Sequence, residues 1–206
     1  MARPIVDLGD GRILYAPGFC EDSFRHMVME CFLGAFETEY FLTRGMKEYC
    51  GSVNGRRGLD FNRAIGTIFA EAGWEIRIEV AMTELGAPAE EGLGDVDVLA
   101  WNGKTVCICE CKELLFARTI GEVTGQLVRF RGKAGDDLDK HFQRVRFLEG
   151  HRGGLSTLTG IGDLRIVPLL ITSKVVPMQF VANLGAEVVS ADQITRDYLD
   201  LLLRRV

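Results

Sequence analysis

Residues 94–112 read GDVDVLAWNGKTVCICECK, and the fold class follows from this stretch. Two alternating runs rich in Val, Ile, Cys and Trp flank Asn102-Gly103. Asn-Gly between alternating apolar runs is a strong local signal for a β-hairpin. Alternation then decides which side chains share a face. On the first strand Asp95 and Asp97 share one face, with Val96 and Val98 on the other. On the second strand Ile108, Glu110 and Lys112 lie opposite Cys107, Cys109 and Cys111. Acidic groups and a lysine therefore project from the ends of strands that are otherwise apolar enough to be buried. Carboxylates about 4 Å apart repel by roughly 4 kcal/mol at an effective dielectric of about 20. A bound divalent cation removes that cost, so the hairpin predicts a metal site.

Outward from the hairpin, the preceding residues supply a helix and a strand. Residues 59–72 carry Phe61, Ile65, Ile68 and Phe69 on one helical stripe, closed by Gly73. Residues 74–82 alternate as a strand, and 83–91 form a polar loop. After Lys112, residues 113–120 connect to a helix over 121–132, with Arg118 in the connector. A second helix is predicted over 137–149, then a Gly/Thr loop over 150–162. Residues 164–172 (LRIVPLLIT) read as a buried strand, although Pro168 argues against a central position. Val188-Val189 makes a short last strand, and Ser190-x-x-Gln193 is a capping box opening a helix over 191–205. Upstream, residues 5–18 suggest a small hairpin and residues 22–40 an amphipathic helix containing His26. The Gly-, Asn- and Arg-rich stretch 45–58 reads as a loop or boundary. We therefore divide the chain into an N-terminal appendage, 1–50, and a main domain, 51–206. Helix, strand, hairpin, helix, strand, helix is the order of an α/β sandwich with a mixed sheet.

The bulk properties narrow the function. A chain of 206 residues with 47% apolar and 26% charged residues forms one sizeable core. No apolar run is long enough for a membrane span and Met1 opens no signal peptide, so the expectation is a cytoplasmic protein without a membrane partner. Strand-like sequence begins almost at once after Met1, which suggests a piece of something longer. A net charge of −5 gives no global attraction to nucleic acid. Any such partner needs a local patch, and Arg118, Arg129, Arg131, Lys133, Lys140, Arg144, Arg146 and Arg152 cluster with His141 and His151. The alternative for that cluster is a solvated helix face. Six cysteines in a chain of this size are not a disulfide framework. The strand spacing of Cys107, Cys109 and Cys111 differs from zinc-site spacing and fits small core residues.

An Asp on one strand with Glu-x-Lys on its hairpin partner resembles the PD-(D/E)XK nuclease superfamily. The matching residues are Asp97 in GDVDVL and Glu110-Cys111-Lys112 in ICECK, within a similarity running roughly from Gly58 to Arg131. The resemblance implies a restriction endonuclease-like three-layer α/β sandwich, a mixed central β-sheet flanked by helices. It also implies a Mg²⁺-dependent phosphodiesterase, with Mn²⁺ able to substitute, whose metal ligands are Asp97, Glu110 and the backbone carbonyl of Cys111. Asp95 is a reserve ligand. Lys112 would position or deprotonate the attacking water, and Gln126, one turn before Phe130, matches a Gln-x-x-x-Tyr/Phe pattern of several branches. Many relatives place a glutamate in the preceding helix where this chain has Asn62, leaving Asp60, Asp95 and Glu79 as candidates for a third acid. The implied partner is DNA, with RNA open, cut in restriction, repair or defence. Either a homodimer or a targeting domain or subunit would accompany the chain. Two rivals stand beside this reading: a nucleic-acid-binding or scaffolding module that has lost catalysis, and a cysteine-based metal or redox protein.

Overall fold

A computed structural model describes residues 5–34, 36, 43–114, 117, 119–131, 133–180 and 184–204. The chain divides into two units, Met1–Arg57 and Gly58–Val206. In the first, strands β1 (Ile5–Asp7) and β2 (Ile13–Tyr15) pair antiparallel, and helix α1 (Pro17–Phe32) starts with proline at its first turn. Helix α1 starts before the expected Asp22 and ends at Phe32, well short of the expected Tyr40, because the chain turns at Leu33 and Gly34, whose φ is +67°. Arg118 lies outside the described residues. The small core of this unit is Phe36 and Cys50 packed with Cys31.

Helix α2 (Arg44–Glu71) runs unbroken through the stretch expected to be a loop. Gly51, Gly55 and Gly58 suggest a break, at about 1 kcal/mol each against alanine. No proline interrupts the run, however. Arg44 bridges Glu48 one turn on at 2.6 Å, and Cys50 is buried against Phe36. Packing decides helicity here, not propensity.

The second unit is a three-layer α/β sandwich around a five-stranded mixed sheet of order β3-β4-β5-β6-β7. Strands β3 (Glu75–Ala81), β4 (Asp95–Asn102) and β5 (Thr105–Lys112) form an antiparallel meander, the last two joined by the Asn102-Gly103 turn. Strand β6 (Arg165–Thr172) adds parallel to β5, and β7 (Glu187–Ser190) adds parallel to β6. On one face Ile65 and Phe69 of α2 and Leu199 and Leu202 of α6 (Arg196–Arg204) cover Val98, Ala100 and all three strand cysteines. On the other, Val145 and Leu148 of α4 (Asp137–Gly150) and Leu155 of α5 (Gly153–Thr159) cover Leu99, Trp101, Val106 and Ile108. Helix α3 (Ile120–Arg129) opens on a capping box between Thr119 and Glu122 and ends at the buried Phe130.

Three expectations meet corrections. The Gly/Thr stretch 150–162 contains α5, because Leu155 is driven fully into the core. The capping box at Ser190 opens a single 3-10 turn, and the last helix starts only at Arg196. Pro168 sits inside a five-stranded sheet, yet β7 pairs only with residues from Leu169 onward. The proline therefore occupies a part of β6 that is an edge on that side, where its missing N–H costs nothing.

Gly154 marks the closest approach of two segments. A Cβ there would lie 2.1 Å from the carbonyl oxygen of Leu85, a backbone atom that cannot swing aside. Gly154→Ala is expected to lower the unfolding free energy by about 3 kcal/mol. A urea titration checks this, and an unchanged midpoint would refute the close packing of α5 on the 82–87 turn.

Candidate active site

The hairpin puts its charged residues at the far end from the Asn-Gly turn. Pairing between β4 and β5 runs from Asn102↔Thr105 to Val98↔Cys109 and then stops. Beyond it, Asp97 replaces a ladder bond: its Oδ2 accepts from the backbone N–H of Cys111 at 2.7 Å. This fixes the Asp97 carboxylate beside the strand that carries Glu110.

The alternation expected on β4 fails at this point. Val96 packs with Val80, Met82 and Leu99, whereas Val98 packs in the opposite layer with Ala100 and Cys109. Across the ladder, Glu79 lies between the Ile78↔Val98 and Val80↔Val96 pairs, opposite Asp97. Its φ is +53°, a left-handed conformation rare for a residue with a side chain. Both strands exchange faces around this pair, so Val96 and Val98 do not share a face as simple alternation requires. The exposed Glu79 accepts from the Nδ2 of buried Asn62 at 3.2 Å. Asn62 on α2 thus contributes an amide held against a strand carboxylate.

Glu110 is buried and engaged at both oxygens. Lys112 Nζ lies 2.8 Å from Oε1, and the Arg144 guanidinium of α4 pairs with Oε2. The side chains of Glu110 and Arg144 are only 6% and 11% exposed, so this is a desolvated pair. Arg144 also donates through Nε to the carbonyl of Leu93 at 2.7 Å. One turn earlier on the same helix face, His141 is buried with its Nε2 lacking a hydrogen-bond partner among the described residues. The sequence reading placed Arg144 in a general basic cluster and missed its contact with Glu110. Its only sequence signal is the helical spacing of His141 and Arg144.

These contacts set the ionisation of the site. Burial and the charge of Glu110 push Asp97 up to about 7, against the pull of the Cys111 N–H and Lys112. Asp95 adds a smaller push in the same direction. Burial pulls Lys112 down, but the charge of Glu110 and its hydrogen bond outweigh this, so the ammonium sits above its ordinary value. His141 is drawn down to about 4 by burial, with Glu110 opposing, and is neutral at physiological pH.

Cys111 offers the site only its backbone, since its thiol faces the opposite layer with Cys107 and Cys109. Burial pushes all three thiols far above their ordinary value, so they stay protonated and are poor metal ligands. Gln126 on α3 lines a cavity of about 310 Å³ with Val123, Lys174, Val176 and Phe180, while Phe130 is a core residue. Asp60 lies at the exposed start of the second unit, where Arg63 pairs with it at 3.4 Å. The basic cluster is largely spent on internal partners: Arg129 on Asp137, Arg146 on Asp139, Arg144 on Glu110 and Arg152 on the Leu164 carbonyl. Arg131, Lys133 and Lys140 are exposed and have no ion-pair partner among the described residues.

Among the described residues no group of three or more His, Cys, Asp or Glu side chains is arranged around a common metal position. Two carboxylates, Asp97 and Glu110, are close enough to feel each other's charge, and magnesium is commonly held by one or two carboxylates with water completing its shell. Asp97, whose charge burial and Glu110 both disfavour, is the group such a cation would relieve. The pair offers a divalent cation two carboxylates, of which Glu110 is reached only by displacing Lys112 or Arg144.

Among the described residues no helix is long and apolar enough to cross a membrane. No curated protein and no solved structure matches the chain. One family model, described as anti-phage protein Upx-like, matches residues 1–196. With that match running over nearly the whole length, the chain belongs to the Upx-like family of anti-phage proteins.

Proposed function

We propose that the chain is a metal-dependent nuclease of the PD-(D/E)XK type that hydrolyses DNA phosphodiester bonds in defence against phage. The observation that carries this reading is the Asp97–Glu110 pair, two desolvated carboxylates on adjacent strands with a lysine on one of them. Membership of an anti-phage family is compatible with it, since destroying invading DNA is one chemistry such a protein can perform. Asp97 and Glu110 would hold Mg²⁺ or Mn²⁺, with the Cys111 carbonyl or Asp95 as further donors. When bound, that ion polarises the phosphate and lowers the pKa of a coordinated water.

The chain's own groups supply the rest. Lys112, held charged by Glu110, orients the attacking water and offsets negative charge gathering on the phosphoryl oxygens. An arginine there would be too broad and rigid for the same position. Gln126 contacts the nucleic-acid backbone or steadies Lys112. Arg131, Lys133 and Lys140 supply exposed charge for the phosphates.

The second reading, a nucleic-acid-binding module without catalysis, draws on Arg144. A guanidinium already on Glu110 does part of a metal ion's electrostatic work. Cleavage of supercoiled plasmid and single-stranded DNA separates the two. The nuclease reading expects nicking with Mg²⁺ or Mn²⁺ that EDTA stops. DNA binding with no cleavage under either metal would replace it by the second reading.

A further inference from the structure

Arg144 occupies a position that the nuclease reading leaves unexplained. Its guanidinium sits on the one oxygen of Glu110 that Lys112 does not take, in surroundings from which water is nearly excluded. It is anchored twice, by Glu110 and by the carbonyl of Leu93, the residue before the Gly94-Asp95 start of β4. Gly94 lies against it: a Cβ there would stand 3.6 Å from Nη2, and its φ of +72° suits glycine. An arginine cannot leave such a contact by losing its proton. It competes with any cation that seeks Glu110. Once it is off Glu110, a guanidinium still tethered through Nε keeps a planar fork of N–H donors, the shape that matches a phosphate.

Resting on the nuclease reading, we propose that Arg144 is a substrate-binding residue with two stations. Without metal it is the internal counter-cation of Glu110 and holds the site closed to cations. With a divalent ion on Glu110, its Leu93 tether keeps it at the site and its freed N–H groups bind the substrate phosphate. Metal loading and substrate binding are thereby linked through one side chain. Glu110 is never left uncompensated in either state.

The test measures Mn²⁺ affinity by calorimetry and duplex cleavage kinetics on the full chain at one pH, for wild type, Arg144→Gln and Arg144→Lys. Arg144→Gln is expected to bind Mn²⁺ about tenfold more tightly, since a competing charge is gone. It should also raise KM for duplex DNA about tenfold at saturating Mn²⁺, through the lost phosphate contact. Arg144→Lys keeps the charge but not the fork, so its Mn²⁺ affinity should stay near wild type while its KM rises. If the glutamine variant does not fold, the lysine variant carries the test, and an unchanged KM in it overturns the proposal. A purely structural arginine would leave Mn²⁺ affinity in Arg144→Gln equal to or weaker than wild type, and that result overturns the two-station role alone. Wild type that binds no Mn²⁺ removes the nuclease reading and this proposal together.

Discussion

Asp97→Asn is expected to cut DNA cleavage by about a thousandfold and at the same time to stabilise the cation-free protein above pH 7. The two effects have one cause. In the fold Asp97 takes up its proton near pH 7, because burial and Glu110 disfavour its charge. In the unfolded chain the same carboxyl titrates near its ordinary value of about 3.9. Between those two pH values the folded state holds the extra proton, so stability falls as pH rises through the window and levels off above it. Three pH units correspond to about 4 kcal/mol, which partial exposure of the carboxyl reduces to on the order of 2–3 kcal/mol. Asparagine can still accept the Cys111 N–H but carries no charge. Its unfolding free energy should therefore match wild type at pH 4 and exceed it at pH 8. Urea titrations at both values, without and with Mg²⁺, check this. Added Mg²⁺ should stabilise wild type at pH 8 and leave the variant unmoved. A variant less stable than wild type at pH 8 would show that the Asp97 charge is compensated by groups of the chain itself.

Glu110→Gln is expected to lose stability. It keeps the shape of the side chain and removes the carboxylate shared by Arg144 and Lys112. Breaking a buried ion pair from one side costs about 3–5 kcal/mol, because the remaining charge stays desolvated and unpaired. A loss of about 3 kcal/mol lowers the melting temperature on the order of 10 °C in a domain of this size. Combining it with Arg144→Gln removes both buried charges, and the double variant should recover much of the loss, the signature of coupled sites. A melting temperature unchanged in the single variant would mean that Glu110 and Arg144 do not meet in solution.

Much of the sheet was legible because its signals are local. Asn102-Gly103 and the flanking alternation define the β4–β5 register, and that register alone sends Cys107, Cys109 and Cys111 to one layer and Glu110 to the other. What escaped was set by distant contacts. Three glycines outweighed the helical continuity of α2, since the burial of Cys50 against Phe36 leaves no periodic trace. The exchange of faces at Asp97 depends on a left-handed residue in the neighbouring strand, Glu79, where the sequence shows an ordinary strand. Arg144 stands 34 residues after Glu110, and nothing in the intervening sequence distinguishes it from the other bases of its helix.

The parallel pairing of β5 with β6 also governs when the protein becomes itself. Residues in that ladder are 60 apart in sequence, as in the Arg165–Thr105 hydrogen bond, whereas the β3–β5 meander closes over short turns. Long loops must be closed before such contacts return any free energy, so this step is slow relative to hairpin formation. The meander that carries Asp97 and Glu110 is therefore expected to form before the guanidinium of α4 and strand β6 reach it. Refolding is then expected to protect the amides of β4 and β5 from hydrogen exchange ahead of those of β6, with enclosure of the acidic centre as the later event.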